Sequence, residues 1–271
     1  MRRPAYWWKP PPTPWLPVRH NRRVPRLLLI NPNTSESMTA LVLRHARAEL
    51  PADIDIVPVT ARFGAAVIAS EAAFAIAAHA TLDAYAANSG PWDAVLLACF
   101  GDPALYALRE ISPAPVVAFA DAAMTDAASC GRFAIVTGGE RWGPMLTRLA
   151  AALGHAGSLA GVVTLAVDGG QIAANPDAAI AALQAAVEQA VARYAAKAVI
   201  IGGAGLVGLA ARLQPHAPVP LIDSVLAGVR RAGVLAREHA SATAPAARTP
   251  GDRIATKGLG EDLARLLDSP R

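Results

Sequence analysis

One of the two cysteines in this 271-residue chain stands where a reactive thiol could work. Residues 94–103 read AVLLACFGDP, so Cys99 follows an apolar run and precedes an Asp-Pro pair. Asp102 and Pro103 are residue types that favour the N-cap and the first position of a helix. The spacing therefore predicts Cys99 between a strand end and a helix N-terminus, where amide N–H groups favour a thiolate. The alternative is a buried structural cysteine.

Small and polar residues also follow three other apolar runs, where they could hold a ligand. These turns read NPNTS, TGGER and GAGL and start at residues 31, 137 and 203. In the first turn Asn33 is predicted to cap a helix, with Glu36 completing a capping box. The amides of residues 100 and 101 are predicted to form an oxyanion-binding nest. The candidate substrate-binding residues are Asn33, Thr34, Ser35, Phe100, Gly101, Thr137, Gly138, Gly203, Ala204 and Gly205.

The remaining reactive side chains give weaker signals. Cys130 opens a strand at its amino end, so packing is expected for it. No histidine pairs with another His, Cys or acid at a metal-ligand spacing, and no phosphate loop followed by Lys-Ser/Thr occurs, so neither a metal nor a cofactor is predicted. The segment 68–80 could bring Ser70, Glu71 or His79 near the site, although a solvated helix face also explains Glu71 and His79.

The elements that must position these residues alternate along the chain. Most of the short apolar runs contain few polar residues, which is typical of parallel strands buried on both faces. Strands are predicted at 26–30, 54–59, 94–98, 115–119, 132–136, 161–166, 198–202 and 219–222. Helices are predicted at 36–49, 69–88, 103–111, 121–129, 142–153, 176–196, 206–213 and 224–237. Strand–helix alternation indicates an α/β fold with mostly parallel sheets.

The pattern also repeats at a nearly constant spacing. AVLLACFG at 94 matches AVIIGGAG at 198, and the strand runs at 26 and 115 match those at 132 and 220. We infer an internal duplication, the alternative being that all buried parallel strands look alike. The expected fold is two pseudo-symmetric Rossmann-like lobes with parallel four-stranded sheets. Because ligands bind outside the carboxyl ends of such strands, the active site is expected in the cleft between the lobes.

The repeats and the composition set the expected domain organisation. Residues 1–25 carry six basic and no acidic residues with many prolines, and they are predicted to form a disordered extension. Residues 26–120 with 219–238 are assigned to lobe 1, and residues 121–218 to lobe 2. Residues 239–271 are predicted to form a linker and a short helix near 260–267, folding back onto a lobe or a subunit partner.

Charge and hydropathy limit the expected partners and location. Without the basic extension the chain is slightly acidic, so no nucleic-acid-binding face is predicted. No apolar run approaches the ~18 residues of a membrane span, and the extension lacks the apolar region of a secretory signal. With only two cysteines and no export signal, the sequence predicts a cytoplasmic protein. No membrane partner is predicted, and the sequence does not decide whether the chain forms a homo-oligomer.

The three motifs together resemble the aspartate/glutamate/hydantoin racemase superfamily. INPNTS after the first strand, ACFGDP after a central strand and the Gly-Ala-Gly turn at 203–205 are similar to its hydantoin and allantoin racemase branch. The resemblance implies two Rossmann-like lobes, no cofactor, no metal and two cysteines on opposite faces of the substrate carbon. The first of these cysteines corresponds to Cys99. The second corresponds to Gly203, which cannot transfer a proton.

Three functions fit a site with one thiol. The first is a cofactor-independent racemase or epimerase, with Cys99 as the proton-transfer residue at a carbon next to a carbonyl in a hydantoin-, amino-acid- or carboxylic-acid-like substrate. A side chain from 68–80 or water would then replace the second thiol. The second is a single-cysteine decarboxylase or other lyase, and the third is an inactive relative that binds a small molecule.

Overall fold

Two parallel sheets with the same strand order form the framework of the protein. In the computed structural model, which describes residues 23–242 and 255–268, each sheet has four strands. The first has the order β2-β1-β3-β4 and contains β1 (Arg26–Asn31), β2 (Asp55–Thr60), β3 (Ala94–Leu97) and β4 (Val116–Ala118). The second has the order β6-β5-β7-β8 and contains β5 (Phe133–Gly138), β6 (Leu159–Leu165), β7 (Ala198–Gly202) and β8 (Leu221–Asp223). The predicted α/β fold is confirmed.

Strand register repeats between the sheets as well as strand order. Leu27 of β1 lies opposite Ala94 of β3, and Phe133 of β5 lies opposite Ala198 of β7. The central strands β1 and β3 therefore correspond to β5 and β7. Cys99 and Gly203 follow equivalent strands, β3 and β7, each at the carboxyl end of its sheet.

Helices cover both sheets at most of the predicted positions. They are α1 (Glu36–Glu49), α2 (Glu71–Ala87), α3 (Leu105–Ile111), α4 (Phe119–Ser129), α5 (Trp142–Ala152), α6 (Gly169–Ala174), α7 (Pro176–Tyr194), α8 (Leu209–Leu213), α9 (Ser224–Ser241) and α10 (Glu261–Asp268). The helix predicted at 206–213 is divided into a 3₁₀ turn, Ala204–Leu206, and α8. Helix α6 was not predicted, because its six residues begin with two glycines, which are poor helix formers.

Helices α4 and α9 lie between the two sheets and contact each other extensively. Helix α4 follows β4 but packs mainly on β7 and β8, whereas α9 follows β8 but packs mainly on β3, β4 and β1. The largest apolar core therefore combines residues of both lobes, including Leu96 of β3, Phe119 of α4 and Ile200 of β7. The assignment of residues 219–238 to lobe 1 is wrong for their strand, because β8 pairs with β7 in the second sheet.

The C-terminal helix folds back onto a lobe of its own chain. Helix α10 packs on α2 of the first lobe, with Leu263 buried and Leu266 and Leu267 against the core. The predicted extension up to residue 22 and the linker at 243–254 lie outside the described residues. Cys130, expected to pack, is exposed instead, because it is the C-cap residue of α4. Within the described residues, no helix combines the length and apolar character of a membrane span.

Candidate active site between the lobes

A cavity of about 80 Å³ lies between the carboxyl ends of the two sheets. The first lobe contributes the turn after β1, the loop before α2 and the turn after β3. The second contributes the end of β5, the start of α5, the start of α6 and the turn after β7. The lining residues are Asn33, Met38, Ala66, Val67, Ile68, Ala69, Ala98, Cys99, Phe100, Gly138, Trp142, Asp168, Gly169, Gly170, Ala204 and Gly205.

Cys99 lines this cavity, as predicted, in a strongly apolar setting. It packs with Ile68 and Ala77, and Phe74 and Trp142 complete the cluster. Burial raises the pKa of its thiol far above the ordinary range, and the nearby charge of Asp102 raises that pKa further. The prediction of a thiolate with a lowered pKa is therefore wrong for the free protein, because desolvation disfavours the charged form. The resting group is a neutral thiol.

The helix start expected next to Cys99 is displaced. Asp102 adopts a left-handed conformation with a φ of 54°, and α3 begins three residues later at Leu105. The Asp102 carboxylate instead accepts hydrogen bonds from the N–H groups of Ala120 (3.0 Å) and Asp121 (2.8 Å) in the first turn of α4. Burial raises the pKa of this carboxyl to about 7, although the two N–H groups oppose that change. Asp102 thus links the cysteine turn to α4.

The turn after β1 is also capped differently from the prediction. Ser35, not Asn33, is the N-cap of α1, and its hydroxyl accepts from the N–H of Met38 at 3.2 Å. Asn33 Oδ1 accepts from Asn31 Nδ2 (2.8 Å) and from the N–H of Ser35 (2.9 Å). These bonds orient the Asn33 amide, and no described residue accepts from its Nδ2 group. Asn33 can therefore donate to a ligand in the cavity.

The other predicted binding residues divide into two groups. Phe100, Gly138, Ala204 and Gly205 line the cavity. Thr34, Ser35, Gly101, Thr137 and Gly203 do not belong to the lining. Thr137 donates its hydroxyl to the carbonyl of Gly202 at 2.8 Å and so ties β5 to β7. The N–H of Gly203 donates to Ser224 at 3.1 Å. Thr137 and Gly203 therefore stabilise the turn after β7 without lining the cavity.

Aromatic rings cross between the lobes beside the cavity. The Phe100 ring of the first lobe lies against Gly202 of the second, where a Cβ atom would come within 2.2 Å of the ring. The Trp142 ring of the second lobe lies against Gly101 of the first, where a Cβ would come within 2.6 Å. Both positions require glycine because of this close approach. The two contacts place the lobes in fixed register around Cys99.

Several lining residues were missed by the sequence prediction, and Asp168 is the most significant for chemistry. It is the N-cap of α6, with a capping box in which Gln171 is the reciprocal partner. Its Oδ1 accepts from the Gln171 N–H, and its own N–H donates to Gln171 Oε1, both at 2.9 Å. The D-x-x-Q spacing is a helix-start signal that could have revealed α6 from the sequence.

The polar residues expected from the segment 68–80 have other partners. Ser70 caps α2, with its hydroxyl accepting from the N–H of Ala73 at 3.2 Å. Glu71 forms a bidentate ion pair with Arg148 of the second lobe, at 2.8 and 2.9 Å. The His79 ring lies 5.0 Å from the Phe63 ring. The apolar start of this segment, Ile68 and Ala69, and the loop just before it, Ala66 and Val67, form part of the cavity lining instead.

The charge of the cavity is unusual for a site that binds small molecules. Cys99 and Asp168 are its titratable side chains, and in the described part of the chain no Lys, Arg or His lines it. No group of three His, Cys, Asp or Glu residues in residues 23–242 and 255–268 could hold a metal ion. The lining is otherwise apolar or uncharged, so a neutral ligand fits it better than an anion.

Comparison with known proteins identifies this architecture. The model of the Asp/Glu/Hydantoin racemase family matches residues 27–232. Hydantoin racemase of Paenarthrobacter aurescens is 33% identical over 210 residues, which cover 76% of this chain and 88% of that protein. Hydantoin racemase of Pseudomonas sp. (strain NS671) is 31% identical over 207 residues, covering 76% and 83%.

A solved structure agrees with these sequence relatives. Allantoin racemase from Klebsiella pneumoniae superposes with a TM-score of 0.78 at 28% identity, covering 88% of this chain and 98% of that one. The region that the family model covers, residues 27–232, includes nearly all of both sheets and the turns that line the cleft between them. The chain therefore belongs to the Asp/Glu/hydantoin racemase family and is an enzyme of the racemase type.

Proposed function

We propose that this enzyme is a cofactor-independent racemase or epimerase of neutral, hydantoin-like rings, with Cys99 as a proton-transfer residue. The observation that carries the proposal is the Cys99 thiol in a cavity without a lining cation. In a hydantoin, the C5 hydrogen lies next to a ring carbonyl, so removing it as a proton gives an enolate. Racemisation then requires that a proton return to the opposite face of C5.

The lining supports a neutral ring over the other two substrate classes. A carboxylate from an amino acid or a carboxylic acid would lose its hydration in this cavity and meet no positive side chain. It would also lie near Asp168, which adds repulsion when that group is ionised. A cyclic ureide carries only N–H and C=O groups, which Asn33 and backbone amides can satisfy. Relatives named hydantoin racemase agree with this choice.

Two groups are placed to stabilise the enolate. The Nδ2 group of Asn33 has no acceptor in the described chain and is oriented by the bonds to its Oδ1. The backbone N–H of Phe100 also has no acceptor among the described residues. Preorganised donors near developing negative charge commonly account for most of the rate enhancement in such sites. The apolar surroundings of Cys99 strengthen these interactions because they lower the local dielectric constant.

The proposal is tested by following both enantiomers of a 5-substituted hydantoin in deuterium oxide. We expect loss of optical rotation and entry of deuterium at C5, measured by polarimetry and NMR. Cys99→Ser should abolish the loss of rotation, whereas Cys130→Ser, the matched control at the exposed cysteine, should leave it unchanged.

Other outcomes identify the other functions. Release of carbon dioxide from a disubstituted malonate without racemisation of hydantoins would favour the decarboxylase. Binding of a hydantoin without exchange would favour an inactive relative. Wild-type racemisation that survives Cys99→Ser would refute the role of the thiol.

A further inference from the structure

We propose that Asp168 is the second proton-transfer group and acts on the substrate face opposite Cys99. This inference rests on the proposed function and assigns the partner that the site needs. The two titratable side chains of the lining come from different lobes, Cys99 from the turn after β3 and Asp168 from the loop after β6. A ring held in a cavity of about 80 Å³ between the lobes would have one of them on each side.

The requirement for a second group follows from stereochemistry. Inversion at carbon needs a proton to leave one face and another to arrive at the opposite face. Gly203, the position equivalent to Cys99 in the second lobe, has no side chain that could supply or accept the second proton. Glu71 is paired with Arg148, and His79 contacts Phe63, so neither reaches the lining. Asp168 is the acid that lines the cavity.

Local hydrogen bonds orient the Asp168 carboxylate but engage only one of its two oxygens. Oδ1 accepts from the N–H of Gln171, and the side chain of Gln171 accepts from the N–H of Asp168. This reciprocal pair fixes the side-chain direction at the start of α6. In the described part of the chain, Oδ2 has no hydrogen-bond or ion-pair partner. One carboxylate oxygen therefore remains available to a substrate proton.

The proton balance closes with these two groups alone. For one enantiomer, the Asp168 carboxylate removes the C5 hydrogen as a proton, and the C–H electron pair enters the enolate. The neutral Cys99 thiol then donates its proton to the opposite face of C5. This leaves a protonated Asp168 and a Cys99 thiolate, which can process the other enantiomer in the reverse sense. Alternatively, proton exchange with water restores the resting state.

The raised pKa of the Cys99 thiol agrees with this division of roles. Burial keeps the thiol neutral in the free enzyme, so it is ready to act as an acid. The first base must then come from another side chain. A carboxylate on the facing lobe supplies it, whereas two neutral thiols or a thiol facing bare backbone would not.

The test compares Asp168→Asn with Cys99→Ser and with the double variant in deuterium oxide. Asparagine keeps an oxygen that can accept from the Gln171 N–H, so the cap of α6 is retained. We expect Asp168→Asn to lower the racemisation rate by about 100-fold or more. Cys99→Ser should still exchange the C5 hydrogen of one enantiomer, without inversion. The double variant should lose this exchange.

Asp177→Asn provides the matched control, because Asp177 is an exposed carboxylate of the second lobe paired with Arg212. It should racemise at the wild-type rate. Racemisation by Asp168→Asn at the wild-type rate, or exchange that persists in the double variant, would overturn the role of Asp168 while leaving the proposed function intact. A wild-type enzyme that exchanges neither enantiomer of any 5-substituted hydantoin would overturn both.

Discussion

Asp102 should make the stability of this protein fall as the pH rises from acidic to neutral. Burial raises the pKa of this carboxyl from its ordinary value of 3.8 to about 7 in the folded protein. The folded state therefore binds the proton more tightly than the unfolded chain does. The resulting stabilisation is fully present below pH 3.8 and is lost as the pH rises through about 7. The difference between these pKa values corresponds to about 4 kcal/mol.

Asp102→Asn removes the titration and keeps a side-chain oxygen that can accept from the first turn of α4. Urea unfolding at pH 5 and pH 8 gives the free energy of unfolding of both proteins. Between these pH values, the wild type should lose roughly 3 kcal/mol more than the variant. Other titrating groups, such as the half-buried Asp223, are common to both proteins and cancel. Equal losses in the two proteins would refute the reasoning.

Three further predictions test the packing around the site. Gly202→Ala should lower the free energy of unfolding by about 3 kcal/mol in urea unfolding, because its Cβ would meet the Phe100 ring, and an unchanged value would contradict the close contact. Iodoacetamide at pH 8 should alkylate the exposed Cys130 well before the buried Cys99, as read by peptide mass, and equal rates would contradict the raised Cys99 pKa. Leu263→Ala should release α10, at a cost of about 2 kcal/mol, and speed limited proteolysis there, whereas unchanged cleavage would show that the helix does not depend on this contact.

The strands were predictable because parallel strands buried on both faces leave continuous apolar runs in the sequence. All eight observed strands overlap the predicted runs, and the repeat spacing indicates the matched order of the sheets. The cap of α3 was not predictable from local residues. Asp102 and Pro103 favour a helix start, but the carboxylate is recruited by the N-terminus of α4, which is distant in sequence. Whether Asp102 caps its own helix or another one is therefore decided by tertiary contacts, which local sequence does not show.

The site was predictable where it follows the strand ends and not elsewhere. Cys99, Asn33 and Gly138 line the cavity as expected, because the carboxyl ends of parallel strands converge. The protonation state of Cys99 depends on the apolar residues around it, which come from α2, from the loop before α2 and from the start of α5. Asp168 was overlooked because its loop follows an outer strand, β6, and because the two glycines after it disguise the D-x-x-Q helix-start signal.

The exchanged positions of α4 and α9 have a consequence for the history and assembly of the chain. Each half ends in a helix that packs mainly on the strands of the other half. An isolated half would expose an apolar sheet face and a helix without a packing partner. Two identical copies could bury both surfaces by exchanging these helices. The chain is thus equivalent to a domain-swapped homodimer whose two subunits are joined covalently. Its halves should melt in a single cooperative step and refold together or not at all.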